Sequence, residues 1–230
     1  MKANSKRVNA LIKLGVHLKN YNPDDEYYGL LKKQVHQAII NNGWFTAESI
    51  RETFSSWGNL LVQDTVEKWL TPYSFSEGSP SKTIALILAG NIPMVGFHDI
   101  ICVWLSGHKA MVKCASKDLF LLPYMTSFLE HEAGEQKITF TAQKLENFHA
   151  VIATGSNNAA RYFDHYFSSY PNIIRKNRNG VAVLNGTESE EELIGLGKDM
   201  LQYFGLGCRN VAKIYLPRGY DLNLIFGVEN

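Results

Sequence analysis

Two short segments carry residues able to do covalent chemistry. Asn91 stands in Leu88-Ala89-Gly90-Asn91-Ile92-Pro93, directly after an apolar run, and Cys208 in Tyr203-Phe204-Gly205-Leu206-Gly207-Cys208-Arg209, after a glycine turn. A cysteine thiolate can accept an acyl group, and the resulting thioester can take hydride from a nicotinamide to give an aldehyde. The glycines beside Cys208 leave a substrate room to approach the sulfur. An amide N–H from Asn91 would stabilise the oxyanion. Removing one such donor typically costs about 2.7–4 kcal/mol, so Asn91 is expected to matter for turnover more than for folding. Taken singly, each has a plainer reading, a turn asparagine and a buried packing cysteine. Their order and spacing join them.

Two further segments suit a dinucleotide. Ala153-Thr154-Gly155-Ser156-Asn157-Asn158-Ala159-Ala160 runs from a strand pattern into a helix pattern. Gly155 there allows close backbone approach, and Ser156 with the helix N-terminus can face a phosphate. The full G-x-G-x-x-G pattern is missing, and a simple Ser or Asn helix cap explains the segment equally well. Lys113 ends another apolar run, where its ammonium could reach a ribose hydroxyl or a phosphate; a solvated lysine is the plainer reading.

Other candidates read as structure. Cys102, Cys114 and Cys208 are odd in number and widely separated, with neither metal-ligand spacing nor a disulfide framework, so reduced thiols are expected and Cys102 and Cys114 read as packing. His98, His131, His149 and His165 are scattered, and no metal site is expected. The run Glu188-Ser189-Glu190-Glu191-Glu192 suits the first turn of a helix, where carboxylates favour the macrodipole. Tyr162, Phe163, Tyr166 and Phe167 have helical spacing and read as core.

The elements that must position these residues follow from periodicity. The first eighty residues read as helical, through Val8 to Leu18, Leu30 to Ile39, a helix capped by Thr46 or Ser49 with Ile50, Phe54 and Trp57, and a helix over about Leu60 to Leu70. Pro72 to Ser81 reads as a linker. Beyond it, strands are predicted at Thr83–Ala89, Ala110–Cys114, Lys137–Thr141 and Ala150–Thr154, with helices at Val95–Leu105, Leu119–His131 and Asn158–Tyr166. Four strands with right-handed crossovers imply an α/β fold with a Rossmann-like parallel sheet. Gly180–Leu184 and Val211–Leu216 read as further strands around a helix from Ser189 to Phe204. Ligands of such sheets bind beyond the carboxyl ends of the strands, where Ala89 to Pro93, Lys113 to Lys117 and Thr154 to Asn158 all fall.

Composition narrows the class. The 230 residues are 45% hydrophobic with a formal charge of +1, which suits a globular protein with one or two cores and predicts no nucleic-acid partner. Phosphate-bearing ligands remain open, because glycine turns and helix N-termini bind them without a basic domain. No apolar run reaches the roughly 20 residues of a membrane-spanning helix, and Met1 to Arg7 leads into an amphipathic stretch, so a cytoplasmic location is expected.

Ala89 to Pro93, Met111 to Ser116, Ala153 to Ser156 and Gly205 to Arg209 occur in the order found in the aldehyde dehydrogenase superfamily. Over about Thr83 to Pro217 the chain most resembles fatty acyl-CoA reductases, the branch related to the reductase subunit of bacterial luminescence systems. The resemblance implies Cys208 as acylated nucleophile, Asn91 as oxyanion donor, Lys113 as a ribose contact, and Gly155 and Ser156 as part of the dinucleotide site. The Pro72 to Ser81 linker sets off an N-terminal helical segment (1–80), and the resemblance implies a dinucleotide-binding domain (81–175) followed by the start of a catalytic domain (176–230) that is expected to be truncated, because relatives continue well beyond the cysteine. An acyl-CoA or acyl-thioester substrate, a homo-oligomer and a partner supplying the acyl group are the associations it suggests.

Two departures refine the expectation. Ser116 stands where many NAD-dependent relatives place a glutamate that binds the adenine ribose, and a small neutral residue would not repel a 2′-phosphate. NADPH is therefore the expected cofactor. Upstream of Cys208, hydrolytic relatives carry a Glu-Leu-Gly-Gly motif, whereas this chain has Arg175-Lys176-Asn177-Arg178-Asn179-Gly180. Without a base to activate water, an acyl-cysteine would survive to be reduced, which favours acyl-CoA reduction over aldehyde oxidation. Two other readings stay open: aldehyde oxidation, and a non-catalytic fragment that binds dinucleotide.

Overall fold

The apolar runs after Ser81 pair into one parallel sheet in the computed structural model, which describes residues 4–74 and 80–227. Its strands are β1 (Thr83–Ile87), β2 (Lys109–Lys113), β3 (Ile138–Phe140), β4 (Ala150–Thr154) and β5 (Asn172–Arg175), in the spatial order β3-β2-β1-β4-β5. Every neighbouring pair is parallel. The order is that of a doubly wound sheet, which reverses direction between β1 and β4 and leaves a crevice at the carboxyl ends there. The expected α/β parallel architecture is thus present, with a fifth strand that the sequence did not mark. β5 was overlooked because only Ile173 and Ile174 interrupt its polar sequence, and Asn172 and Ile173 lie exposed at the sheet edge.

Alternation along the strands separates two cores. Ile84 and Leu86 of β1 face the larger one, while Ala85 joins Val151 and Ala153 of β4 on the opposite face. The crossover helices are α5 (Phe97–Leu105), α6 (Leu121–Ala133) and α7 (Asn157–Tyr166). Phe163 and Phe167, at helical i, i+4 spacing, cover the smaller core, whereas Tyr162 and Tyr166 are exposed. The expectation that all four form core therefore holds for the phenylalanines and fails for the tyrosines, which lie on another stripe of the helix.

The larger core continues into the N-terminal helices α1 (Ser5–Lys19), α2 (Gly29–Asn41), α3 (Ala47–Leu60) and α4 (Gln63–Leu70). Leu11 and Leu14 of α1 share this cluster with Trp104 of α5 and Leu122 and Met125 of α6. Arg7 fastens α1 to the chain after α6, donating from Nε and Nη2 to the Glu135 carboxylate at 2.5 and 2.8 Å while its guanidinium lies 5.8 Å from the Trp104 ring centre. Thr46 caps α3 by accepting from Ser49 N. Of the Pro72 to Ser81 linker, residues 75–79 lie outside the described residues, as does the Met1 to Ala3 start of the basic N-terminus.

The described residues fall into two compact units dividing between Lys176 and Asn177. The second unit is a parallel βαβ element: β6 (Gly180–Val183), α8 (Glu190–Leu201) and β7 (Val211–Tyr215). The acidic run does begin α8, with Ser189 and Glu192 forming a reciprocal capping box. The helix ends short of the predicted Phe204 because Tyr203 and Phe204 adopt left-handed backbone angles, φ 54° and 58°. Such angles are costly for bulky side chains and cannot continue a right-handed helix.

Candidate active site

Parallel strands bring their carboxyl-end loops to one edge of the sheet, so the loops after β2 and β4 flank the loop after β1. Asn91 lies half-buried in that central loop. Gly90 makes the close approach possible: a Cβ there would stand 2.7 Å from the Ala115 Cβ in the loop after β2. The loop then turns through Met94, whose φ of 56° is left-handed. Its N–H donates to Asp118 Oδ2 at 3.0 Å.

Asp118 is a site residue that sequence reasoning missed. No motif in the sequence singles it out; in the fold Asp118 is 1% exposed and straps the loop after β1 to the loop after β2. Its Oδ1 is buried and has no hydrogen-bond partner among the described residues. Burial pushes its pKa up to about 7, with the Met94 N–H pulling the other way. The neighbouring Cys114 thiol is pushed up to about 12 by its own burial and by the Asp118 charge. Half-buried and protonated, Cys114 matches its reading as packing.

Lys113 and Ser116 line one cavity of about 510 Å³ at the ends of β2 and β3. Leu119, Pro123 and Phe140 give it an apolar wall, and Thr141 adds a hydroxyl. Lys113 Nζ donates to the Gln143 carbonyl at 3.3 Å, which holds the side chain along this edge. The backbone of the Ser116 loop is fixed from outside: Asn41 Nδ2 at the end of α2 donates to the Ser116 carbonyl at 2.7 Å, and Asn42 Nδ2 to that of Lys117 at 3.5 Å. An apolar wall facing a cation and hydroxyls is a donor set that suits an adenine ribose and its phosphate.

Gly155 and Ser156 follow β4 on the other side of β1. Ser156 Oγ accepts from Ala159 N at 3.2 Å, so the simple helix-cap reading is realised at the start of α7. A Cβ on Gly155 would lie 3.0 Å from both Ala159 Cβ and Phe163 Cε2. The space freed by this glycine is therefore occupied by the helix, which packs closely on the strand end.

Arg175, at the end of β5, is structural. Its Nη1 donates to Asp99 Oδ2 of α5 at 2.5 Å, and its carbonyl accepts from Gly155 N at 3.2 Å. Asp99 stays ionised, its pKa lowered by hydrogen bonds from His98 and Arg175 against the opposing effect of burial. His98 is raised to about 9 by its hydrogen bonds to Asp99 and Cys102 and stands exposed on the surface of α5.

Cys208 belongs to the second unit and is exposed, contrary to the buried reading of a lone cysteine. It sits on a turn organised by Asn210, a second residue missed from sequence because Asn after a glycine turn is commonplace. Asn210 Oδ1 accepts from Gly207 N at 2.7 Å, and its Nδ2 donates to the carbonyls of Asp199 at 2.9 Å and Gln202 at 3.0 Å. One side chain thus ties the cysteine turn to the end of α8. Within the first unit the fold gathers Asn91, Lys113, Ser116, Gly155 and Ser156 at one sheet edge, while Cys208 is presented by the second. Among the described residues no helix is long and apolar enough to cross a membrane.

No protein-family model and no curated protein sequence matches the chain. Its fold does match solved structures. An NADP-dependent enzyme from E. coli aligns with 100% of the chain at TM-score 0.71 and 10% identity, using 51% of its own length. The aldehyde dehydrogenase KauB from Pseudomonas aeruginosa aligns with 97% at TM-score 0.69 and 10% identity, using 50% of its length. The NAD+ complex of an aldehyde dehydrogenase from Bacillus cereus aligns with 97% at TM-score 0.68 and 14% identity, using 49%. The chain therefore spans about half the length of these structures and has an aldehyde dehydrogenase-like α/β fold.

Proposed function

We propose that the chain carries the cofactor-binding and nucleophilic parts of an NADPH-dependent acyl-CoA reductase that releases a fatty aldehyde. The observation that carries this reading is the 510 Å³ cavity at the carboxyl edge of the sheet, which Lys113 and Ser116 both line. Lys113 would bind ribose or phosphate oxygens with its ammonium. Ser116, with no carboxylate at that position, would leave room for a 2′-phosphate. The start of α7 at Ser156, across β1, would face the pyrophosphate with backbone N–H groups. When bound, NADPH supplies the hydride.

The covalent chemistry is assigned to Cys208. Its thiolate attacks the acyl-CoA carbonyl, a new C–S bond forms, and CoA leaves as a thiolate that takes up a proton. With hydride supplied to the acyl-cysteine carbonyl carbon, Cys208 would leave as thiolate when the same C–S bond breaks, and the aldehyde would be released. In both steps the Asn91 amide would donate to the carbonyl oxygen as negative charge develops. The lack of a glutamate among Arg175 to Gly180 disfavours hydrolysis of the acyl-cysteine. A reducing, cytoplasmic setting suits its three free thiols.

Aldehyde oxidation is the second reading, favoured by similarity in fold to proteins described as aldehyde dehydrogenases. The deciding experiment is intact mass spectrometry of the protein with a long-chain acyl-CoA, with and without NADPH. An acyl adduct mapped to Cys208 and discharged as aldehyde by NADPH supports the reductase. Absence of an adduct while NADPH still binds refutes it and leaves a non-catalytic dinucleotide-binding role.

A further inference from the structure

A second cavity, of about 730 Å³, opens among the N-terminal helices and shares no lining residue with the cavity at Lys113 and Ser116. Its floor and inner wall are apolar: Val35 and Ile39 of α2 and Tyr21 after α1 are buried or half-buried. Its mouth is cationic. Lys32 and Lys33 on α2 and Arg51 on α3 all line it, as does His36, and among the described residues no Asp or Glu does.

None of these three cations has an ion-pair partner among the described residues. Among the described residues the ion pairs employ Arg7, Lys13, Lys144, Arg175 and Lys176, together with His98 and His131, and leave Lys32, Lys33 and Arg51 without a carboxylate partner. The Arg51 charge reaches across to Tyr21, where it favours the phenolate against the burial that raises the tyrosine pKa. A cavity lined by apolar side chains and three cations suits a ligand with an apolar body and an anionic head. Arg51 can hold a phosphate or carboxylate with its fork of N–H donors, and the lysines add compact positive charge.

We propose that this cleft between α2 and α3 binds a small amphiphilic anion, with its chain on Val35 and Ile39 and its phosphate or carboxylate head among Lys32, Lys33 and Arg51. The assignment is independent of the reductase reading. Its volume lies within the range of about 300–1,000 Å³ usual for small-molecule sites.

The test is titration with octyl phosphate, octanoate and inorganic phosphate, each below micelle-forming concentration, followed by calorimetry and by the methyl NMR signals of Val35 and Ile39. Saturable 1:1 binding of octyl phosphate or octanoate that shifts both methyl signals is expected, and the tighter of the two identifies the preferred head. Inorganic phosphate should bind at least tenfold more weakly. The double variant Lys32→Glu/Arg51→Glu should weaken binding at least tenfold. Ala47→Phe, which fills the cleft and leaves its charges intact, should weaken it comparably. All the substituted positions are exposed, and thermal melts check that the fold persists. Failure of both octyl ligands to bind, equal affinity for inorganic phosphate, or unchanged binding in either variant would overturn the assignment.

Discussion

Asp118→Asn isolates the buried carboxylate that joins the loops after β1 and β2. Its ordinary pKa of 3.8 is raised to about 7 in the fold, chiefly by burial. A carboxyl whose folded pKa exceeds its unfolded value binds more protons when folded, so between pH 4 and 7 its contribution to stability falls as pH rises. Below about pH 4 both states are protonated and the penalty vanishes; above about pH 7 both are ionised and it is complete. The difference between 3.8 and about 7, at 1.36 kcal/mol per pH unit, sets the full penalty at up to about 4 kcal/mol. Asparagine keeps an oxygen to accept from Met94 N but places an amide N–H₂ where Oδ1 now lacks a partner. That costs about 1–3 kcal/mol, independent of pH.

The stability of Asp118→Asn relative to the parent should therefore climb from pH 4 to pH 8 by up to about 4 kcal/mol. In a unit of this size that corresponds to a relative gain of roughly 8–16 °C in melting temperature. Taking the difference between the two proteins cancels the other titrating groups, including His98, whose raised pKa stabilises the fold below pH 6.5 and loses that effect as pH approaches 9. Cys114, held near 12, does not titrate in this window. Urea denaturation at half-unit pH steps measures the slope. Parallel stability curves for the two proteins between pH 4 and 8 would refute the claim that Asp118 is buried with a raised pKa.

Three other substitutions address the candidate site. Ser116→Glu should weaken NADPH relative to NADH by at least tenfold, because it sets a carboxylate in the cavity lined by Lys113; an unchanged ratio by calorimetry removes Ser116 from cofactor choice. Gly155→Ala should destabilise the first unit by about 1–3 kcal/mol, because the new methyl meets Ala159 and Phe163 at 3.0 Å; an unchanged denaturation midpoint would show that α7 moves away at no cost. Cys208→Ala should abolish the acyl adduct while NADPH affinity stays within a few-fold, and acyl-CoA reduction at the parent rate would end the covalent mechanism.

The plainest strand in the sequence was β1. Ile84, Ala85 and Leu86 are buried in succession, so the segment reads as a continuous apolar run whichever way each residue points. β5 has no such run because it is held by backbone pairing to β4 with its side chains largely in solvent. Helix ends followed the same division. Ser189 and Thr46 cap through local hydrogen bonds that sequence can encode, whereas the stop before Tyr203 depends on two bulky residues taking left-handed angles that neither favours. The separation of Phe163 and Phe167 from Tyr162 and Tyr166 was available from helical geometry, since residues four apart share a stripe and adjacent residues do not.

Site residues divide by how far their partners lie along the chain. Lys113 and Ser116 were recognisable because the end of a parallel strand already fixes which edge they reach, and the cavity there needs only the next strand to complete it. Asp118 was not, since a lone carboxylate in a polar loop becomes buried only when Gly90, where a Cβ would stand 2.7 Å from the Ala115 Cβ, lets the loop after β1 close on the loop after β2. Gly90 stood in the motif beside Asn91, but the carboxylate that its absent side chain makes room to bury was not marked. Gly155 carries the same lesson with the opposite emphasis. A glycine at a strand-to-helix turn serves either a phosphate or a helix, and here Ala159 and Phe163 already occupy the space a Cβ would need. Any contribution of that turn to cofactor binding must therefore come from the backbone N–H groups of the α7 start, which the close helix packing holds in place, rather than from emptiness at Gly155 itself.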